Sequence, residues 1–416
     1  MSGRSTTLRA AAEVALGRQR APQHDSGPHM VPYLRAANVK DGVLDLSDVK
    51  EMNFTPAEQQ TFSLHPGDVL ITEGSGSISA VGASAVWRGE IDGVVCFQNT
   101  LLRLRPRDDR ADGRFLEWWA RSTFGSGVFA SIASGANIYH ISAERVRALP
   151  IELPPLEEQR RIADFLDAET SRLDDLAKTQ VLLIERLKER EGVATELTLS
   201  NASSSSVRLK RMLTVPMSYG ANESTEHDRR DWPRYIRTTD IANDGRLRDE
   251  TFASLPPDVA RNYMLSDGDL LFVRSGATVG KSFVYESQYG PAAHAGYLIR
   301  ARVNRNLTLP RLIWHFCQTA KYWQQVDEGA IQATIQNVNA EKYGNLLVPL
   351  VDRERQHSTL EILDSQLATS RILQNRAKQL LELLAERRQA LITAAVTGQF
   401  DVFTASGRNA TDGVGA

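Results

Sequence analysis

Two stretches of the 416-residue chain carry the same long-helix pattern at a fixed separation. Residues 153–199 contain no proline after Pro155 and one glycine, Gly192. Pro154 and Pro155 suit a helix start, since their missing N–H groups cost nothing in the first turn. Glu157 and Glu158 then place negative charge at the positive end of the helix dipole. Apolar residues recur with heptad spacing: Leu166, Leu173, Leu187 and Ala194 in one series, Ile162, Leu176, Leu183 and Leu197 in the other. A helix of this length spans roughly 60–65 Å and needs a partner along it. Residues 353–396 provide one. They match the first stretch at Gln159/Gln356, Leu166/Leu363, Asp167/Asp364, Leu176/Leu373, Leu183/Leu380, Leu187/Leu384 and Arg190/Arg387, every pair 197 residues apart. The match continues upstream through Ile138/Ile335, Glu144/Glu341, Leu149/Leu346 and Leu153/Leu350. The chain therefore reads as two copies of one unit, each a globular part followed by a long helix.

The globular parts repeat in plan. Residues 1–152 hold short strand-like runs (Tyr33 to Val39, Val69 to Ile71), glycine turns and an aromatic helical stretch with Phe115, Trp118 and Trp119. Residues 207–350 answer them: Tyr235 to Ile241, Asp269 to Phe272, and a stretch with Trp314, Phe316 and Trp323. Short strands and one or two helices per part indicate an α+β fold with a curled sheet. The serine-rich residues 200–206 read as a flexible linker between the copies, and residues 399–416 as a tail, disordered beyond Val402. The helices occupy 153–199 and 351–398.

Net charge is −2, so any surface for nucleic acid must be local. Cys96 and Cys317 are too few and too isolated for a disulfide framework or a zinc site, which fits a reducing cytoplasm. No apolar run reaches the twenty or so residues of a membrane span, and the N-terminus lacks a secretory signal's apolar core.

The segment GANIYHISAERVRALPIELPPLEEQRRIADFLD, the long helix after it, and a second such unit closing with ALITAAVTGQFDV resemble the specificity (S) subunits of type I restriction-modification systems. The resemblance covers essentially the whole chain. The second copy departs from it with VPLVDRERQ in place of LPPLEEQ, and with Ser370 where the first helix has Leu173. The resemblance implies a non-catalytic reader of double-stranded DNA, in which two α/β target-recognition domains are separated by a pair of long antiparallel helices. These would form an intramolecular coiled coil, and the tandem repeat would have pseudo-two-fold symmetry. Each domain would read half of a split target while the helices fix the gap. Two methyltransferase subunits would dock on the repeats and carry S-adenosylmethionine, and restriction subunits would join outside them. This chain would bind no cofactor, metal or membrane and would act in the cytoplasm.

Candidate DNA-contacting residues follow from side-chain chemistry. Asn137, Tyr139 and His140 in one loop, and Thr334, Gln336 and Asn337 in the corresponding loop, carry groups that hydrogen-bond base edges or phosphates. Ser75, Ser77 and Ser79 in a glycine-rich loop, with Arg274, Ser275, Thr278 and Lys281 in its counterpart, suit phosphate contacts. Arg35 and Arg237 stand at matching positions beside a strand. Ordinary turns before a long helix have the same composition. Gly276 to Ser282 imitates a nucleotide-binding loop, but it has three residues between its glycines instead of four, and strand-like Phe283, Val284 and Tyr285 follow the lysine. No adenine-methylation motif or nuclease carboxylate set stands out, so the chain reads as a non-enzyme. A coiled-coil scaffold without a DNA role, and a reader serving an orphan or different methyltransferase, fit many of the same features.

Overall fold

The computed structural model describes residues 4–402 except 108, 225–226, 243–244 and 331–336. The chain forms two compact units: unit 1 comprises residues 1–180 and 379–416, and unit 2 residues 181–378. The first long helix is Leu156–Ala202, 47 residues, and the second is Gln356–Val396, 41 residues. At 1.5 Å per residue the first is roughly 70 Å long. Each unit thus holds one globular part, the first half of the helix that follows it, and the last half of the other helix.

In unit 1 a four-stranded antiparallel sheet has the order Ala12–Leu16, Leu101–Pro106, Val69–Thr72, Ser84–Val86. Its central strands are apolar on both faces, because both are covered. Val69, Ile71, Leu102 and Leu104 pack with Phe115 and Leu116 of helix Gly113–Gly125, whereas Leu70 and Leu101 join Leu34 and Phe97 on the other side. The helix starts where the Asp112 carboxylate accepts from the backbone N–H groups of Arg114 and Phe115. It stops before Gly127 (φ 77°), and a separate short helix, Val128–Ile132, follows.

Unit 2 repeats this with the order Ser218–Tyr219, Leu298–Ala301, Leu270–Val273, Ser282–Val284. Leu270 and Phe272 face one core and Leu271 and Val273 the other, the same alternation as in unit 1. The strand that follows Lys281 agrees with the sequence reading of that segment.

Residues 200–206 are not a linker. The first helix runs on to Ala202, with Leu199 and Ala202 buried in the core of unit 2. Ser203–Arg208 is a strand antiparallel to Leu347–Val351, as Arg4–Thr7 is to Pro150–Leu153 in unit 1. Serine-rich text reads as flexible in isolation, but an unpaired strand edge provides ladder partners that small residues accept. Ser204 Oγ also donates to the Asp352 carboxylate at 2.8 Å.

Side chains at equivalent positions anchor each globular part to the helix that follows it. Gln159 is fully buried; its amide donates to the carbonyls of Pro154 (2.8 Å) and Arg110 (2.9 Å) and accepts from Asp112 N–H. Gln356 donates to the equivalent carbonyls of Val351 (3.1 Å) and Leu307 (2.7 Å). Trp118 donates to Asp167 at 2.9 Å, and His315 stands 2.8 Å from Asp364. Arg114 reaches Asp164 and Asp167, and Arg311 reaches Asp364 and Glu286. The second helix is preceded by a 3₁₀ turn, Arg353–Arg355, where the first has its two prolines.

The heptad reading needs one correction. Ile162, Leu166, Leu173 and Leu187 are buried as expected, but Leu176, Leu183 and Leu197 are exposed, and so are Leu373 and Leu380. One apolar stripe per helix is covered, by the adjoining globular part and the neighbouring half-helix; beyond Ile162, the second series faces outward. Residues 403–416, most of the expected tail, lie outside the described residues, but Phe400 packs on Phe165 with ring centroids 5.5 Å apart.

Candidate DNA-recognition edges

Strand Val69–Thr72 of unit 1 runs out into the loop that begins at Glu73. There Gly74–Ser75 pairs antiparallel with Tyr139–His140, and Ile141 N–H donates to the Glu73 carbonyl at 2.9 Å. The glycine-serine loop and the SGANIYH loop, far apart in sequence, thus form one edge. A Cβ on Gly74 would come within 2.9 Å of the His140 ring, so a larger residue there would push the imidazole aside. Ser134 and His140 exchange backbone hydrogen bonds of 3.0 and 2.8 Å, which closes a tight turn at Gly135 (φ 132°) and leaves Asn137 and Ile138 exposed. His140 Nδ1 lies 3.0 Å from the Glu73 carboxylate. Tyr139 is half-buried against the core. Ser77 Oγ and Ser79 Oγ are 2.8 Å apart, and Ser77 N–H donates to Ser75 Oγ.

Unit 2 builds the equivalent edge from different side chains. Ser275 bridges Asn337, and Val338 N–H donates to the Arg274 carbonyl at 2.8 Å. The Arg274 guanidinium lies 4.8 Å over the Tyr219 ring. Thr278 is exposed, and the Lys281 ammonium donates to the Ile241 carbonyl at 2.6 Å. Thr334 and Gln336 lie outside the described residues.

Arg35 and Arg237 each engage a carboxylate of their own unit. Arg35 pairs with Asp48 at 2.5 Å, and Arg237 makes a two-point contact with the Asp240 carboxylate (3.1 and 3.0 Å). Sequence reasoning missed Glu73 and Tyr219 as members of the edges. Glu73 carried a readable signal, a carboxylate placed where a strand ends in a glycine loop. Tyr219 carried none.

Among the described residues no group of three or more His, Cys, Asp or Glu side chains is placed to hold a metal. Burial pushes the Cys96 and Cys317 thiols up to about 12, so neither is a nucleophile at neutral pH. No helix among the described residues is long and apolar enough to cross a membrane. Sheets that present polar loops, each anchored to a long helix, suit a recognition protein.

Comparison with known proteins shows what the chain is similar to. Residues 16–186 match the family model for the type I restriction modification DNA specificity domain. The chain is 21% identical over 398 residues to the type I restriction enzyme StySPI specificity subunit of Salmonella potsdam, covering 89% of this chain and 82% of that one. Its fold matches a structure solved for complex assembly and conformational transition of the type I R-M system, with TM-score 0.73 at 18% identity over 96% of this chain and 99% of that one. The HsdS subunit from Thermoanaerobacter tengcongensis matches with TM-score 0.51 at 17% identity, over 95% and 97% of the two chains. Residues 16–186 thus resemble the type I restriction modification DNA specificity domain, and the relatives matched along the chain are specificity subunits.

Proposed function

We propose that the protein reads a bipartite double-stranded DNA target, one half with residues 1–152 and the other with residues 203–350, while its long helices set the gap. The observation that carries this reading is the repeated edge. The backbone bridge between Gly74 and His140 recurs between Ser275 and Asn337, with different side chains at the tip, as two readers of different half-sites require. The contacting groups on this reading are Ser75, Ser77, Ser79, Asn137, Tyr139 and His140 on one edge, and Arg274, Ser275, Thr278, Lys281, Thr334, Gln336 and Asn337 on the other. Arg35 and Arg237 position their turns.

The helices pair as an antiparallel coiled coil in a tandem repeat with pseudo-two-fold symmetry. Contacts of Asp174 with Arg388 (3.3 Å) in unit 1 and of Glu191 with Gln374 (3.4 Å) in unit 2 support this, since the second number falls as the first rises. Two methyltransferase subunits dock on the helices, each meeting equivalent exposed leucines such as Leu176 or Leu373 and Leu183 or Leu380. Those subunits hold S-adenosylmethionine, and restriction subunits attach through them in the cytoplasm.

The test is co-expression with the methyltransferase subunit, followed by mapping of N6-methyladenine along the DNA. Two short half-sites around a fixed gap are expected; a folded, partner-bound complex that methylates nothing would overturn the reading. Removing residues 176–182 together with 373–379 should shorten the gap and keep both half-sites. Altered half-sites with an unchanged gap would refute the role of the helices as a ruler.

A further inference from the structure

We propose that Tyr343 and Tyr322 are positioning residues for recognition by unit 2: their hydroxyls hold both ends of the loop from Arg274 to Gly280 and so fix the shape in which its tip meets DNA. The proposal rests on the DNA-reading function above. The Tyr343 hydroxyl donates to the Val273 carbonyl at 2.6 Å, where the loop begins, and accepts from the Gly280 N–H at 3.1 Å, where it ends. The Tyr322 hydroxyl donates to the Gly280 carbonyl. Both tyrosines are fully buried. Burial pushes both phenols above the usual tyrosine range, so each stays protonated and able to donate. Gly276 to Thr278 stand exposed between these buried ends.

The backbone closes the loop without the hydroxyls. Gly280 N–H also donates to the Val273 carbonyl at 3.1 Å, and Val273 N–H donates to the Lys281 carbonyl at 2.9 Å. The Tyr343 ring packs on Phe272, with centroids 4.8 Å apart. A buried hydroxyl costs free energy unless it is hydrogen-bonded, so a phenylalanine at 343 would fill the core as well. What the Tyr343 hydroxyl adds is a tie from the loop to helix Ala340–Asn345. The N-cap of that helix, Asn339, lies two residues beyond Asn337, the partner of Ser275 across the edge. One hydroxyl thus joins both segments of the edge, and Tyr322 joins the same glycine to helix Ala320–Ala330. Unit 1 has neither hydroxyl. The residues 197 positions earlier are Val146 and Gly125, and its loop from Glu73 to Gly82 is three residues longer. Gly82 lies against Phe129 instead, an apolar contact without direction. A loop already held in its bound shape loses less entropy on binding, and it rejects bases to which a pliable loop would adapt.

The test uses the complex with its methyltransferase subunits, for the parent, Y343F and Y322F/Y343F. Methylation rates are compared between the full motif and duplexes with one base pair changed in either half-site. The double variant should lower discrimination about 10-fold in one half-site and leave the other unchanged. Y343F should show the same change in smaller measure. Tyrosines that serve the fold alone would give variants with lower melting temperatures and parental discrimination in both half-sites, a result that overturns the proposal. Equal loosening of both half-sites would overturn it too. Should Y322F/Y343F not fold, Y343F decides between the same outcomes, since it keeps the ring packing on Phe272 and the Tyr322 bond. A parent complex that methylates no split motif would instead overturn the function on which the proposal rests.

Discussion

Unit 1 and unit 2 hold a buried aspartate in the same way: Asp68 takes two hydrogen bonds from Arg105 (2.9 and 2.7 Å), and Asp269 takes two from Arg302 (2.8 and 2.7 Å). Each carboxylate also caps the turn before its strand, accepting from the N–H of His65 or Ser266. A few residues on, the likeness ends. Glu73 faces His140 in one unit, whereas Arg274 with Asn337 stands in the other. The anchoring groups are common to both units and the loop tips differ. The sheet and turn geometry that carries each edge is shared, and the side chains at its tip are set locally.

That division predicts where substitution harms the fold and where it harms only recognition. Asp269→Ala should have the largest effect, about 3 kcal/mol of unfolding free energy, because it strands a partly buried arginine and an unfilled turn N–H. Asp68→Ala should match it within about 1 kcal/mol, both measured by denaturant titration. A small loss in one and a large loss in the other would show that the two cores are not equivalent. The helix anchors should come next. Gln159→Ala removes three hydrogen bonds and Gln356→Ala two, so costs of about 2 kcal/mol are expected, with Gln159→Ala the greater.

The duplication was legible because it lies in side chains whose spacing is fixed: Gln159, Asp167 and their partners at 197 residues are the anchors themselves. Residues 200–206 were misread because serine composition reports local propensity, whereas strand pairing with Leu347–Val351 is a tertiary effect. The outward face of Leu176 and Leu373 was misread for a related reason. Heptad spacing says that a stripe is apolar but not which body covers it. The edges themselves were half legible. Both loops stood out by composition, but nothing in the sequence says that Gly74 lies against His140, since strand pairing across such a distance leaves no periodic signal.

Smaller effects, on selectivity alone, should follow substitutions at the tips. His140→Asn should change which bases are accepted in one half-site by about 10- to 100-fold, through roughly 1–3 kcal/mol of lost or altered base contact. Asn337→His should alter only the other half-site. Methylation maps of the two variants should be complementary, with melting temperatures unchanged. A change in both half-sites from either variant would mean that the edges do not read independently.

The smallest expected effect depends on pH and again separates the units. His294 is buried on the strand that pairs with Arg234–Ile236, and its Nδ1–H donates to the Tyr263 carbonyl at 3.0 Å. Burial, with the Arg300 charge in support, pushes its pKa below the usual 6.5, so the native side chain stays neutral. In unit 1 the corresponding residue is Phe97, which does not titrate. As pH falls below about 6.5 the unfolded form of unit 2 takes up a proton that the native form refuses. The stabilisation is complete above that pH and is lost as pH falls toward the native pKa. Hydrogen exchange, corrected for intrinsic rates, should therefore show amides of Leu298–Ala301 losing protection between pH 7.5 and 5.5 more steeply than those of Leu101–Pro106. His294→Phe should remove the difference. If both strands lose protection in parallel in the parent and the variant, then carboxylates common to both units, and not the histidine, govern acid sensitivity.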